Sequence, residues 1–435
     1  MKRLLAAGLI AGVLGITALA APVSAEESSG NGWEDAWDDD WADEPDRPVW
    51  SGFVELAGGT QVVAGETPRD ATLGELRGQA ETEWLGEGYT LSFKGEVLHD
   101  EVLNDTDLEV RELALQVPVG TALDLKAGRQ VLTWGTGDLL FLNDLFPKDF
   151  ESFFAGRDDE YLKAPSNAIR ISAYHDWLNA EVVWTPEFEP DRYLDGERFS
   201  LFDPAAGAIG VVDPPLDAAT PDGLSSGELA LRLFKRVRAT EYALYAYRGY
   251  FKQPSAVNRQ GRPTFAPMTA FGMSVRAPLG SGLVNGEFAW YESRDDGNGD
   301  DPRVPNSQAR WLIGYERELI TNLTGAVQYY GERIADYDAL RSSAPNRETL
   351  PDKWRSLLTA RLSYRAMRDT LTLGLFAFVS PSDEDYHLRP TVSYRVSDTW
   401  RLSAGANLFG GRKSHTFFGQ LEDNSNVYVR LRRYY

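Results

Sequence analysis

The sequence contains no cysteine. That excludes disulfides, thiolate metal sites and haem attached through Cys-x-x-Cys-His. Beyond the first 25 residues there is no run of about 20 apolar residues, so no transmembrane helix is expected. Bases are outnumbered: 44 Lys and Arg stand against 65 Asp and Glu, a formal charge of −21, which argues against a nucleic-acid partner. Histidine is limited to His99, His175, His387 and His415. None lies in a G-x-S-x-G or H-E-x-x-H setting, so no catalytic centre, cofactor or metal is expected. His387 with Ser393 is the best candidate for a hydrolase, and no oxyanion feature accompanies it. Asp296-Gly297-Asn298-Gly299-Asp300 has the alternating oxygens of a calcium loop, but Asp301 replaces the glycine of the sharp turn and Ser307 the bidentate Glu. A hydrophilic loop tip is the simpler reading of that segment.

The chain divides into three parts. Residues 1–25 have a basic start (Lys2, Arg3), an apolar stretch and a small-residue site at Val23-Ser24-Ala25, as in a secretory signal peptide. Residues 26–48 carry ten acids and one base, with Trp33, Trp37 and Trp41 at four-residue spacing. Dense like charge predicts disorder. The aligned indoles allow a helix that forms on a periplasmic protein, or a segment that reaches a cationic lumen. Residues 49–435 carry one repeated pattern.

In that pattern a segment of about ten alternating residues meets a very short turn, a second such segment, then a longer polar loop. Tyr89, Leu91, Phe93 and Val97 alternate with Thr90, Ser92, Lys94 and Glu96. Leu371, Leu373, Leu375 and Ala377 alternate with Thr370, Thr372, Gly374 and Phe376. Short turns fall near 86–88, 119–121, 175–178, 237–240, 279–282, 318–322, 367–370 and 397–399. Long connections fall near 61–71, 99–106, 135–166, 187–226, 250–267, 293–308, 333–353, 380–386 and 410–425. This alternation predicts an all-β, transmembrane, up-and-down antiparallel β-barrel of about 16–18 strands. Pro390 sits inside one segment and weakens the reading there.

The last ten residues, NVYVRLRRYY, place Val427, Val429 and Leu431 on one face and Tyr428, Arg430 and Arg432 on the other, with Tyr435 in phase with the apolar face. A lipid-facing strand with a cationic inner face fits; a soluble sandwich can end in the same way. Leu231, Ile313, Leu373, Val392, Leu402 and Val429 are expected to face lipid. Trp and Tyr gather near strand ends, among them Trp50, Trp84, Tyr89, Trp134, Trp290 and Tyr364. Trp184, Trp311, Trp400 and Tyr435 are candidates for the membrane interface. Ordinary core packing is the alternative.

Leu113-Ala114-Leu115-Gln116, a tight turn, then Gly128-Arg129-Gln130 with Trp134-Gly135 resembles the strand pair before the third external loop of Gram-negative porin-like barrels. Phe418-Gly419-Gln420 leading into 424–435 resembles their closing strand. The resemblance spans about 50–435 as an architecture. It implies an outer-membrane porin-like barrel in contact with outer-membrane lipids and lipopolysaccharide, and no particular substrate.

Arg170, Arg232, Arg310, Arg361, Arg389, Arg401, Arg430 and Arg432 all lie out of phase with their strand's apolar residues. They are candidates for a cationic pore wall that attracts anions. Bracing of the wall by pairing with Glu109, Glu112, Glu228, Glu316 and loop carboxylates is the structural alternative. The loop 135–166 is the third external one. It mixes Asp138, Asp144, Lys148, Asp149, Glu151, Arg157, Asp158, Asp159 and Glu160 with Phe141, Phe146, Phe150, Phe153 and Phe154. A solvated loop has no use for so many phenylalanines. It is expected to fold into the lumen as a constriction, with its carboxylates facing the arginines; an external cap is the alternative. The function expected is diffusion of small hydrophilic solutes through a porin-like channel. The alternatives are a barrel serving as scaffold or sheath for a periplasmic partner, and an outer-membrane hydrolase.

Overall fold

The computed structural model describes residues 48–435 except 64, 66 and 205. The expected signal peptide and the acidic segment with Trp33, Trp37 and Trp41 lie outside the described residues, apart from Pro48.

Alternation in the sequence becomes alternation in space. In the last strand Val427, Val429 and Leu431 are exposed, whereas Tyr428 and Arg432 are buried. A sheet that shows one apolar and one polar face, and must leave no backbone group unpaired in lipid, has to close on itself. Eighteen strands do so. They are β1 Ser51–Gln61, β2 Ala71–Gly86, β3 Tyr89–Asp100, β4 Asp105–Val119, β5 Leu123–Val131, β6 Pro165–Ala173, β7 Asn179–Thr185, β8 Glu228–Val237 and β9 Thr240–Tyr250. Then follow β10 Pro267–Leu279, β11 Gly282–Ser293, β12 Gln308–Ile320, β13 Leu323–Ile334, β14 Trp354–Ala366, β15 Leu371–Ser380, β16 Asp385–Arg395, β17 Trp400–Gly411 and β18 Asn426–Tyr434. Each pairs antiparallel with its sequence neighbours, and β18 closes on β1 from Phe53↔Tyr434 to Gln61↔Asn426. The strand number is the upper end of the expected range, and short and long connections alternate as the pattern predicted except near 99–106 and 380–386, where the strands run on and leave four-residue turns. Nine connections leave one rim, seven of them long and two, 101–104 and 381–384, only four residues. By the barrel convention that rim is external and the short-turn rim periplasmic.

Two irregularities have local causes. Pro390 lacks an N–H, and the β16–β17 ladder skips Arg389 and Pro390, yet the register is the same at Leu388↔Leu408 and Thr391↔Gly405. In β4 a bulge opposite Lys94 and Gly95 inserts Arg111. The extra residue turns both Arg111 and Glu112 inward. Arg111 donates to the Glu160 and Lys163 carbonyls, and Glu112 pairs with Lys126 at 2.5 Å.

The outer face is apolar. Ile313, Leu373, Val392, Leu402 and Val429 are exposed, and Leu231 is half-buried on the same face. Trp184 and Trp311 sit toward the external rim, Trp400 and Tyr435 at the periplasmic one. Trp134 is a correction to the aromatic pattern. Its ring lies inside, 5.0 Å from Phe146, and its indole N–H donates to Glu181 at 3.1 Å.

An arginine placed at Val429, near the middle of the outer face of β18, should destabilise the barrel by about 2–4 kcal/mol in a refolding titration. Arg401→Ala, on the inner face, should stay within about 0.5 kcal/mol. Equal costs would reverse the inside–outside assignment.

Candidate functional site: a loop-filled lumen

The third external loop, 132–164, runs through the barrel. Its first part, with Leu132, Leu142 and Phe146, packs on the inner wall of β6–β12 through Val183, Tyr247, Met268 and Leu312. Its second part, with Phe153, Phe154 and Leu162, packs on the far wall through Leu73, Phe378, Phe409 and Tyr428. The phenylalanines are thus buried against both sides of the lumen.

Local chemistry fixes the second part. Asp149 caps the helix α1, Phe150–Ala155, by accepting the Ser152 N–H at 2.7 Å. Gly156 ends it at φ 92°, a left-handed conformation. A Cβ there would meet the Tyr428 ring at 2.2 Å, so both backbone angle and close packing require glycine. Asn407 and Asn426 on the wall donate to the Phe154 carbonyl at 2.9 and 3.1 Å.

All eight expected arginines are on the inner face, and six hold carboxylates. Arg232 pairs with Glu181 at 3.3 Å and Glu241 at 2.9 Å, and Arg310 with Glu332 at 3.2 Å. Arg361 binds Asp138, and Glu316 at 2.6 Å. Arg389 binds Asp159 at 2.8 Å, and Arg430 binds Asp158 at 3.0 Å. Arg432 binds Glu55 at 2.8 Å and approaches Asp158 and Glu160 at 3.6 Å. Arg401 lies over the Tyr434 ring, and Arg170 faces Lys126 across the β5–β6 ladder. Among the described residues Arg170 and Arg401 have no carboxylate partner. Of the wall carboxylates named from sequence, only Glu316 pairs with an arginine of the wall set. Glu109, Glu112 and Glu228 pair with Arg192, Lys126 and Lys252.

The loop's own charges divide in two. Asp138, Asp158, Asp159 and Glu160 meet the arginine wall, and Glu160 also meets Lys94 at 3.4 Å. Asp144 pairs with Lys148 at 3.0 Å, Asp149 with Arg192 at 3.3 Å and Glu151 with Arg198 at 2.8 Å. Arg157 holds Glu75 at 2.6 Å and Asp100 at 3.3 Å. These members brace the loop instead of facing the arginine wall. Burial pushes the Asp158 carboxyl up, but Arg430 and Arg432 pull it further down, so it ends below its usual range. Burial raises Asp138, Arg361 opposes, and Glu316 and Asp159 push it up again. The two loop carboxylates therefore sense each other near Arg361 and Arg389.

Sequence reading missed four charged partners. Glu75 and Arg77 lie on one face of β2, with Arg77 on Glu96 and over the Tyr161 ring at 4.0 Å. Their phase opposite Leu76 carried the same signal used for the other arginines. Arg111 was hidden by the bulge. Arg198 belongs to the fourth loop, whose irregular sequence has no period to read. It is almost fully buried and joins Glu151, Asp100 and the Thr72 carbonyl. The fourth loop thus clamps the third, with Asp191 accepting the Lys148 N–H at 2.7 Å.

His387 is buried and stacked 4.3 Å from Phe409, with Asn407 at 3.1 Å from Nε2. Ser393 is six residues along the same strand, roughly 20 Å away, and its hydroxyl accepts from Ser403. The two form no dyad. The Asp296 carboxylate accepts the backbone N–H groups of Asn298, Gly299 and Asp301, which gives a self-capped turn.

Solved structures with a similar fold include OccAB3 of Acinetobacter baumannii, at 11% identity and a TM-score of 0.52 over 89% of this chain and 99% of that one. OccD3 of Pseudomonas aeruginosa matches at 9% and 0.50 over 90% and 91%. OccK5 of the same organism matches at 12% and 0.50 over 89% and 97%. The fold is that of the outer-membrane porins. No protein-family model matches the chain, and no curated protein matches it in sequence. Within this porin fold the third loop lies against wall strands on every side, from Glu287 on β11 to Glu96 on β3.

Replacing Arg157 by Met should cost about 3–5 kcal/mol in the urea refolding midpoint, because Glu75 and Asp100 lose a buried partner. Changing Glu75 to Gln as well should recover part of that loss. A lowered Asp158 adds stability that is full above its unfolded value of about 3.9 and lost as pH falls below it. Hydrogen exchange over 156–162 should stay slow from pH 7 to about 5 and quicken below about 4, with no such acid step in Asp158→Asn.

Proposed function

We propose that this protein is an outer-membrane channel through which small hydrophilic solutes diffuse. One observation carries the reading. The loop that crosses the closed barrel leaves a cavity of about 390 Å3 beside it, bordered by Phe141, Phe153, Tyr291, Arg310, Tyr330 and Arg355. A barrel with a polar interior narrowed by a folded-in loop filters solutes by size.

Charge at the constriction is balanced. Arg361 with Asp138 and Glu316, and Arg389 with Asp159, flank the inner wall of β15. A passing solute meets paired charges rather than a bare cationic field. It exchanges hydrogen bonds with groups that already have partners, which favours polar solutes over large ions of either sign. The paired-wall reading thus takes precedence over a simple anion funnel, and Arg170 and Arg401 supply cationic character at the periplasmic side.

Planar-bilayer recording tests the proposal. The intact protein should give stable single-channel currents, and removal of Asp149 to Glu160 should raise conductance severalfold. A folded barrel with no current, before and after that removal, would favour a scaffold over a channel.

A further inference from the structure

The outer wall carries two apolar grooves that solute passage does not use. One, of about 500 Å3, runs among Leu233, Tyr242, Leu244, Met273, Phe288 and Ile313 on β8–β12. The other, of about 710 Å3, runs among Val284, Tyr315, Val327, Tyr329 and Leu358 on β11–β14 and also borders Ile313. The first groove owes its depth to Gly286, which stands on the outer face of β11 between Val284 and Phe288. A Cβ there would come no closer than 3.6 Å to the Val275 side chain, so the hollow is open space rather than a packing necessity.

Any bilayer would fill such hollows with acyl chains. The end of the first groove is what makes it selective. Lys235 is the one cation among its lining residues. It stands on the outer face of β8, two residues before the turn into β9, opposite Tyr242. Its ammonium donates to the Asp176 carbonyl in the neighbouring periplasmic turn, which holds it at the rim and leaves it further N–H donors. Trp177 of that turn is 69% exposed, and Leu178 lines the groove. A lysine, an indole and a phenol together at this depth fit the headgroup region of the leaflet below. We propose that this face binds one anionic diacyl phospholipid of the periplasmic leaflet. Its phosphate sits on Lys235 and its two chains occupy the grooves on either side of Ile313. The placement excludes lipopolysaccharide, whose leaflet is at the other rim.

Native mass spectrometry of the full, folded protein tests this with two probes, dioleoyl-phosphatidylglycerol and dioleoyl-phosphatidylcholine. One phosphatidylglycerol should bind about fivefold more tightly than phosphatidylcholine, the contribution of a single interfacial lysine. Lys235→Gln, a near-isosteric change of a half-buried rim side chain, should abolish that preference with the barrel still folded. Gly286→Leu should reduce binding of both lipids about fivefold or more, with single-channel conductance unchanged. Equal binding of the two headgroups by the natural sequence would overturn the proposal. So would a Gly286→Leu protein that binds as the natural one does. Should Gly286→Leu fail to fold, the headgroup comparison and Lys235→Gln decide the matter alone.

Discussion

Closure of the backbone ladder is the constraint from which the rest follows. In hydrocarbon an unpaired N–H or C=O costs several kcal/mol, so a sheet spanning the bilayer has no tolerable edge. The β1–β18 pairing removes it. Closure then forces the side chains into two populations, because neighbours on a strand must point to opposite sides of the wall. Leucine and valine can point outward without cost. Away from the rims arginine and glutamate must point inward, and those that point outward, such as Arg433 over the Trp400 ring, stand near a strand end.

That inward set creates a second requirement. Charges such as Arg77, Glu75 and Asp100 are taken out of bulk water by the wall and by the loops above them, and a buried charge without a partner is strongly destabilising. The third and fourth loops provide the partners: Arg157 and Arg198 for the acids of β2 and β3, and Asp138, Asp158 and Asp159 for the arginines of β14–β18. The loop is in the lumen for the same reason that the strands are in a barrel, since each supplies what the other would lack. Removing its phenylalanines from water adds to the same balance.

Much of this was legible in the sequence where a period existed to be read. Strand alternation placed the lipid face and set the eight arginines on the inner face, and turn spacing placed all nine connections of the external rim, although those near 99–106 and 380–386 are only four-residue turns. Loop composition pointed to burial, because five phenylalanines in one loop have no place in water. What could not be read was partner choice. Arg232 takes Glu181 and Glu241 across two ladders, and Arg157 reaches Glu75 at 82 residues' separation. Such pairings depend on barrel register, which a period of two leaves free by whole steps. Arg111 shows the sharper limit, since a single inserted residue breaks the phase on which the reading depends. Trp134 shows another, because an aromatic near a strand end satisfies the interface pattern whether it points out or in.

Partner choice is also what decides the character of the lumen. Eight unpaired guanidinium groups would focus a strong positive potential along the wall. Six of the eight already hold carboxylates, and the exceptions, Arg170 and Arg401, stand on separate parts of the wall. Where the third loop meets β14 and β16 the charges are local dipoles, Arg361 against Asp138 and Arg389 against Asp159, rather than a ladder of one sign. Dipoles fall off faster than charges and act on a solute only when it is in contact. A wall of paired charges therefore interacts with its surroundings through shape and close hydrogen bonds more than through attraction from a distance.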